Sequence, residues 1–176
     1  MGTTKGKKSD LRCIIFMRHG IAVNRDEFEG EEHARPLTEK GIEKTRRVAK
    51  SMASVLCPDL IVASDYRRAR ETAEICVEAF AKHGETPVSI IEAPALRPNE
   101  GYGVWMNSLD RICLDYPTCK SILVVGHQPN LSLLLARMVG AAPESLPFKK
   151  AGIAIIEHQE TSSWQLAAFI PPKFWS

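Results

Sequence analysis

The sequence predicts an α/β fold: three layers, helix/sheet/helix, around a mostly parallel sheet that ends in a C-terminal hairpin. Two observations carry this expectation. Short apolar runs rich in β-branched residues alternate with segments of helical periodicity, the pattern of a sheet covered by helices on both faces. Three of the apolar runs also lead into basic or imidazole side chains, at the strand edge where open parallel sheets collect their ligands. At 176 residues the chain has the length of one domain with a full core, and residues 10–176 are assigned to it.

Met1 to Ser9 sets Lys5, Lys7 and Lys8 among Gly, Thr and Ser, with no apolar residue after Met1, so a disordered tail is expected there. A strand follows over residues 12–18, where Cys13-Ile14-Ile15-Phe16-Met17 shows no helical spacing. Residues 38–56 read as a helix. Thr38 caps it, Glu39 lies in its first turn, Ile42, Thr45, Val48, Ala49, Met52 and Val55 form its inner face, and Pro58-Asp59 follow its end. A strand over 60–63 leads to a second helix over 67–82, with Ala69, Ala73, Ile75, Cys76, Ala79 and Phe80 inward and Gly84 as the stop. Further strands are expected at 89–92 and 121–125, and further helices at 102–116 and 128–139, the last with Pro129 in its first turn. The chain closes with strands over 152–157 and 164–169, joined through 159–163.

Composition removes several classes of function. The formal net charge is only +2 and the charges are mixed along the chain, which argues against a nucleic-acid partner. No apolar run reaches membrane-spanning length and the N-terminus lacks a signal peptide's apolar segment, so the expected location is cytoplasmic and no membrane partner is expected. Five cysteines without a C-x-x-C pair suit reduced thiols in a cytosol. None has an Arg at the offset that a cysteine-based phosphatase loop requires, and the five histidines show no zinc-type spacing. No glycine loop ends in Gly-Lys-Ser or Gly-Lys-Thr, so nucleotide binding through such a loop is not a leading idea either.

The candidate site lies at three strand ends. Arg18-His19-Gly20 follows the first strand, and the glycine permits a sharp turn or a close approach. Arg67, Arg68 and Arg70 open the helix after the second strand, where free N–H groups and the helix dipole favour phosphate. Gly126-His127-Gln128-Pro129 follows the fourth. Taken singly, an arginine cluster at a helix start is a solvated or salt-bridged face, and one His near a cap is structural. Two histidines and at least two arginines beyond three strands of one sheet are a coincidence that such readings do not explain.

In these residues the chain resembles the histidine phosphatase superfamily, also called phosphoglycerate mutase-like, and within it the short SixA-type phosphohistidine phosphatases. Arg18-His19-Gly20 matches the defining motif. Arg35-Pro36-Leu37-Thr38 followed by Gly41 is similar to a segment of the SixA group, Ser64 with Arg68-Ala69 and Thr72 to its second arginine motif, and Val125-Gly126-His127 with Pro129 to its second histidine. Two places depart from the pattern. Asp65 stands where many relatives have Pro, and Ile21-Ala22-Val23-Asn24 lacks the acidic or hydroxyl residues common there.

The resemblance implies that His19 attacks phosphorus, that Arg18, Arg68 and His127 hold the phosphoryl oxygens, and that no metal or other cofactor takes part. Elementary chemistry is consistent with those roles. An imidazole nucleophile must be neutral, and neighbouring cations disfavour imidazolium. Guanidinium forks match phosphoryl oxygens and keep their charge. Glu100, in Leu96-Arg97-Pro98-Asn99-Glu100-Gly101, is the candidate general acid. SixA-type enzymes lack a clear counterpart of that acid, and phosphohistidine has less need of one. The implied partner is a phosphohistidine-bearing protein, a histidine phosphotransfer domain being one such carrier. The rivals are a phosphatase for small phosphate esters and a noncatalytic phosphohistidine-binding regulator.

Overall fold

The computed structural model describes residues 10–83, 89–158 and 163–175. The expected disordered tail, the Gly84 helix stop and most of the expected hairpin connection lie outside these residues. Strand β1 (Cys13–Arg18) sits inside a six-stranded sheet, between a parallel and an antiparallel neighbour. Ile14 and Phe16 face one side and Ile15 and Met17 the other, all essentially inaccessible to solvent. Burial on both faces is why the run is apolar throughout rather than alternating.

The sheet continues with β2 (Leu60–Ala63), β3 (Ser89–Glu92), β4 (Ser121–Gly126), β5 (Ile153–His158) and β6 (Trp164–Ile170), in the order β3-β2-β4-β1-β5-β6. The first four strands in sequence run parallel, and β5 and β6 add an antiparallel hairpin at the edge beyond β1. Register pairs Arg18 with Gly126 and Ala63 with Val125, so the residues after β1, β2 and β4 emerge side by side.

Four helices supply the outer layers. On one face, α1 (Glu39–Ala53) and α2 (Arg67–Lys82) pack Val48, Met52, Ala73, Cys76 and Phe80 against Ile15, Met17, Ile61 and Leu123. On the other, α3 (Tyr102–Asp115) and α4 (Asn130–Val139) pack Trp105, Leu109, Leu131 and Leu135 against Phe16, Val62 and Val124. Trp105 is wholly buried, and at about 25 cal/mol per Å² its large apolar area makes it a leading contributor to that core. No helix among the described residues is long and apolar enough to cross a membrane.

Two helix boundaries differ from expectation by more than one residue, for local reasons. Helix α1 ends at Ala53, where the Ser54 hydroxyl turns back onto the Ser51 carbonyl at 2.8 Å, and Val55 is 67% exposed rather than inward. Helix α4 starts at Asn130, not at Gln128: Pro129 is its cap, and Gly140, left-handed at φ 70°, closes it through the Ala136 carbonyl. The Thr38 cap is as expected, its Oγ1 accepting from the Gly41 N–H at 3.0 Å. Gly20 has a steric reason to be glycine. A Cβ there would run into the Thr45 hydroxyl and crowd Leu37, so only a bare backbone lets the exit of β1 cross this close to α1.

Candidate active site

Backbone pairing delivers the reactive groups. The N–H of His19 donates to Gly126 O at 3.1 Å and that of Ser64 to Val125 O at 2.9 Å, so the sheet pattern carries one residue past the ends of β1 and β2. The Gly20 N–H donates to Thr72 Oγ1 at 3.0 Å, and that hydroxyl donates to the Arg68 carbonyl at 2.7 Å. The turn after His19 is thereby pinned to the first two turns of α2. The rings of His19 and His127 lie 5.0 Å apart, centroid to centroid.

His19 is 3% exposed. Its Nδ1 lies 2.8 Å from the Gly20 carbonyl, which can only accept, so the proton resides on Nδ1 and the lone pair on Nε2. That lone pair receives Arg68 Nε–H at 3.3 Å and faces Lys150 Nζ at 3.4 Å. Burial holds the imidazole well below its usual pKa, and Lys150, His127 and Arg68 push it further down, against a smaller opposing effect of the Gly20 bond. The ring is therefore neutral at neutral pH, with its nucleophilic nitrogen facing two cations.

Arg68 is as buried as His19 and is held in place by Glu32, whose carbonyl accepts from Nη1 at 2.9 Å and whose carboxylate pairs with Nη2 at 3.0 Å. The guanidinium also lies over the Tyr66 ring, 4.9 Å from its centroid. Glu32 is gripped in turn by Arg35, through Nη2 at 2.7 Å and Nε at 3.1 Å, and Arg35 Nη1 donates to the Val23 carbonyl at 2.6 Å. The hydrogen bonds from Arg35 and the nearby guanidinium charges hold the Glu32 carboxyl below its ordinary pKa, so it is an anion that orients cations. Arg67 and Arg70, by contrast, are exposed and pair with Glu71 and Glu92.

His127 Nε2 lies 3.0 Å from Ser64 Oγ, which also accepts from the Tyr66 N–H at 3.4 Å. The other ring nitrogen, Nδ1, is buried and has no partner among the described residues. Burial, followed by Arg68 and Lys150, lowers the pKa of His127 to about 3. Arg18 Nη1 donates to the Phe148 carbonyl at 2.7 Å, while its buried Nε likewise lacks a partner. Unpaired buried donors cost about 1–3 kcal/mol each, a cost that an oxyanion accepting from them removes.

The profile of the histidine phosphatase superfamily (branch 1) matches residues 14–106, just over half of the chain, including Arg18, His19 and Arg68. The chain belongs to this superfamily. No curated protein matches the sequence. Among solved structures, the protein histidine phosphatase SixA complexed with tungstate superposes with a TM-score of 0.79 at 23% identity, covering 93% of this chain and 99% of SixA. An Agrobacterium tumefaciens protein described as SixA follows at 0.74 and 23% identity, covering 92% and 99%. The α-ribazole phosphatase of Shigella flexneri gives 0.68 at 20% identity, covering 91% and 96%. At such identities the likeness establishes the phosphoglycerate mutase-like fold.

In this member of the superfamily, two residues that no motif announces join the candidate site. Lys150, in the loop before β5, reaches His19 from 131 positions away. Burial, then Arg18, Arg68 and Arg35, brings its ammonium down to about 8. Glu32 comes from a short 3-10 turn (Glu32–Ala34) with no sequence periodicity. Glu100 lies in the loop before α3, and among the described residues no hydrogen bond or ion pair joins it to His19, Arg18, Arg68 or His127. Asp65 is fastened by both carboxylate oxygens to Arg97, an ion pair that also lowers its pKa.

Proposed function

We propose that this histidine phosphatase removes phosphate from phosphohistidine on a partner protein, through a covalent phospho-His19 intermediate and without a metal. One observation carries the reading: a neutral imidazole presents an unprotonated Nε2 to Arg68 and Lys150 while its Nδ1–H is tied to Gly20 O. When a phosphoryl group arrives, the two cationic donors exchange that nitrogen for anionic oxygens. The buried Arg18 Nε–H and His127 Nδ1–H are further donors for those oxygens. Phosphoryl transfer rests mainly on positioning and electrostatics, so a cationic cradle can do what a metal does elsewhere.

In the first step the Nε2 lone pair forms a bond to phosphorus as the bond from phosphorus to the substrate's imidazole nitrogen breaks. The electron pair stays on that nitrogen, which takes up a proton. The positive charge developing on His19 is stabilised by the Nδ1–H bond to Gly20 O. Water then attacks phosphorus, the P–Nε2 bond breaks, and orthophosphate leaves.

The carboxylates paired at the site support this substrate class. Glu32 and Asp65, the carboxylates paired within the site and at its edge, are both held ionised by arginines and are poor donors to a strongly basic alkoxide. Imidazole leaves with far less help and can take its proton from solvent. The partner on this reading is a histidine phosphotransfer domain or a similar carrier in the cytoplasm. Turnover compared on such a phosphorylated domain and on a panel of alkyl phosphates tests it. Efficient hydrolysis of alkyl phosphates with none of the phosphoprotein would replace this reading by a small-ester phosphatase.

A further inference from the structure

A cleft of about 690 Å³ runs past the active site between α1, the loop before β5 and the residues after β6. Val48, Phe169, Pro172 and Trp175 make its apolar floor. Lys44, Arg47, Lys149, Lys150 and Lys173 stand around it, and no carboxylate is among the described residues that line it. Among the described residues no ion pair forms at Lys44, Arg47, Lys149 or Lys150. The Lys44 ammonium is lowered by burial and by Arg47 and Lys40, as expected in a positive field that the protein itself does not neutralise. The cleft is continuous with the chemistry, because Lys150 on its rim also faces His19 Nε2.

We propose that this cleft docks an acidic, partly apolar segment of the protein that carries the phosphohistidine, beside the residue being dephosphorylated. The proposal rests on the phosphohistidine reading above. Charge complementarity names the occupant's carboxylates, and the apolar floor names side chains that must accompany them on the same chain. A polypeptide supplies both within a few residues. A nucleic acid lacks aliphatic groups for Val48 and Pro172, and a bilayer surface does not enter a concave cleft. Opposed potentials of this kind speed encounter and align partners. The cleft thereby adds affinity that the small phosphoryl site cannot provide.

Two groove variants and one control test it. Lys44→Glu/Arg47→Glu reverses the rim, and Trp175→Ala removes part of the floor without changing charge. Arg46→Glu/Lys82→Glu makes the same charge change at two residues that line a different cleft. The probes are a phosphorylated histidine phosphotransfer domain, phosphoramidate, and a fluorescent peptide of Asp and Glu interspersed with Leu and Phe, followed by anisotropy. Both groove variants are expected to raise KM for the phosphoprotein and Kd for the peptide about tenfold. Phosphoramidate turnover stays unchanged, and the control shifts either constant less than about threefold.

Equal weakening by the control, or an unchanged KM in the groove variants, overturns the proposal. So does preferential, groove-dependent binding of an RNA oligonucleotide or of phosphatidylserine vesicles. The peptide assay needs no turnover. A chain that binds peptide through the cleft yet never hydrolyses phosphohistidine therefore defeats the functional reading and leaves the cleft standing. Normal phosphoprotein turnover with a groove-independent KM does the reverse.

Discussion

Glu32 and Arg68 act as one unit: carbonyl and carboxylate of the same glutamate take Nη1 and Nη2, at 2.9 and 3.0 Å, and the guanidinium is thereby turned so that Nε reaches His19. Glu32→Gln keeps the size and one acceptor but releases the charge that orders Arg68 and Arg35. Loss of that placement is expected to lower kcat/KM by about tenfold to a hundredfold. Most of the fall should be in kcat, because Glu32 positions a catalytic group and touches no substrate. Steady-state kinetics on the phosphoprotein, with circular dichroism to verify folding, check this; a folded variant of undiminished kcat contradicts it.

Arg68→Ala removes a cation from the attacking nitrogen and from the transferring group. In a site this buried such a loss amounts to several kcal/mol of transition-state stabilisation, a fall in turnover of about a hundredfold to a thousandfold. Arg67→Ala and Arg70→Ala break exposed ion pairs with Glu71 and Glu92, each contributing about 1 kcal/mol or less, and leave turnover within a few fold. Parallel kinetics on the three variants distinguish the buried arginine from its neighbours. Equal effects would show that Arg68 has no special place in the chemistry.

Most of the frame was legible because local pattern and tertiary burial agree. The continuous apolar runs became β1, β2 and β4, and the inner face read for the second helix is the face that α2 buries. Val55 misled because it continues the apolar period of α1 by one turn after Ser54 has already left the helix. His19, Arg18, Arg68 and His127 were visible because strand ends of a parallel sheet converge by topology. Lys150 and Glu32 were not, since a loop and a single 3-10 turn carry no periodicity, and only the closed sheet brings them to Nε2 and to Arg68.

The depressed histidines predict a pH signature in stability. Both imidazoles are held below 6.5 in the folded protein, His127 at about 3, whereas unfolding returns them to ordinary values. Below pH of about 6.5 the unfolded chain binds protons that the folded chain refuses, so the contribution is complete above that pH and is lost as pH falls towards the folded values. Urea unfolding between about pH 5 and pH 6.5, above the carboxylate range, should show stability falling with acid. His127→Gln should make that slope shallower. An unchanged slope would mean that His127 is not held neutral by the fold.

Lys150 is expected to set an alkaline limb of activity. Its ammonium, lowered to about 8, loses its proton as pH rises through that value, and with it goes a positive charge beside His19. The rate profile should descend above about pH 8. Lys150→Arg, which cannot lose its charge, should move the descent to higher pH, while Lys150→Met should abolish the limb and lower the plateau. A limb that stays in place in Lys150→Met assigns it to another group.

On the phosphohistidine reading the leaving group does not depend on an acid at Glu100. Glu100→Gln should then leave phosphohistidine turnover near normal, and the wild type should hydrolyse alkyl phosphates weakly. Measuring both substrates in both forms checks this. Efficient wild-type hydrolysis of an alkyl phosphate, crippled by Glu100→Gln, would make Glu100 the general acid of a small-ester phosphatase.

The most direct test of the account is rapid quenching of the enzyme with a phosphohistidine-bearing protein, at alkaline pH where phosphohistidine survives, followed by mass spectrometry of the enzyme's peptides. The account predicts one phosphoryl group on the peptide containing His19, formed and lost at rates compatible with turnover, present with a chelator in the buffer and absent in His19→Ala. Phosphate release without any phosphoenzyme, or a phosphoryl group carried on another residue, would contradict it.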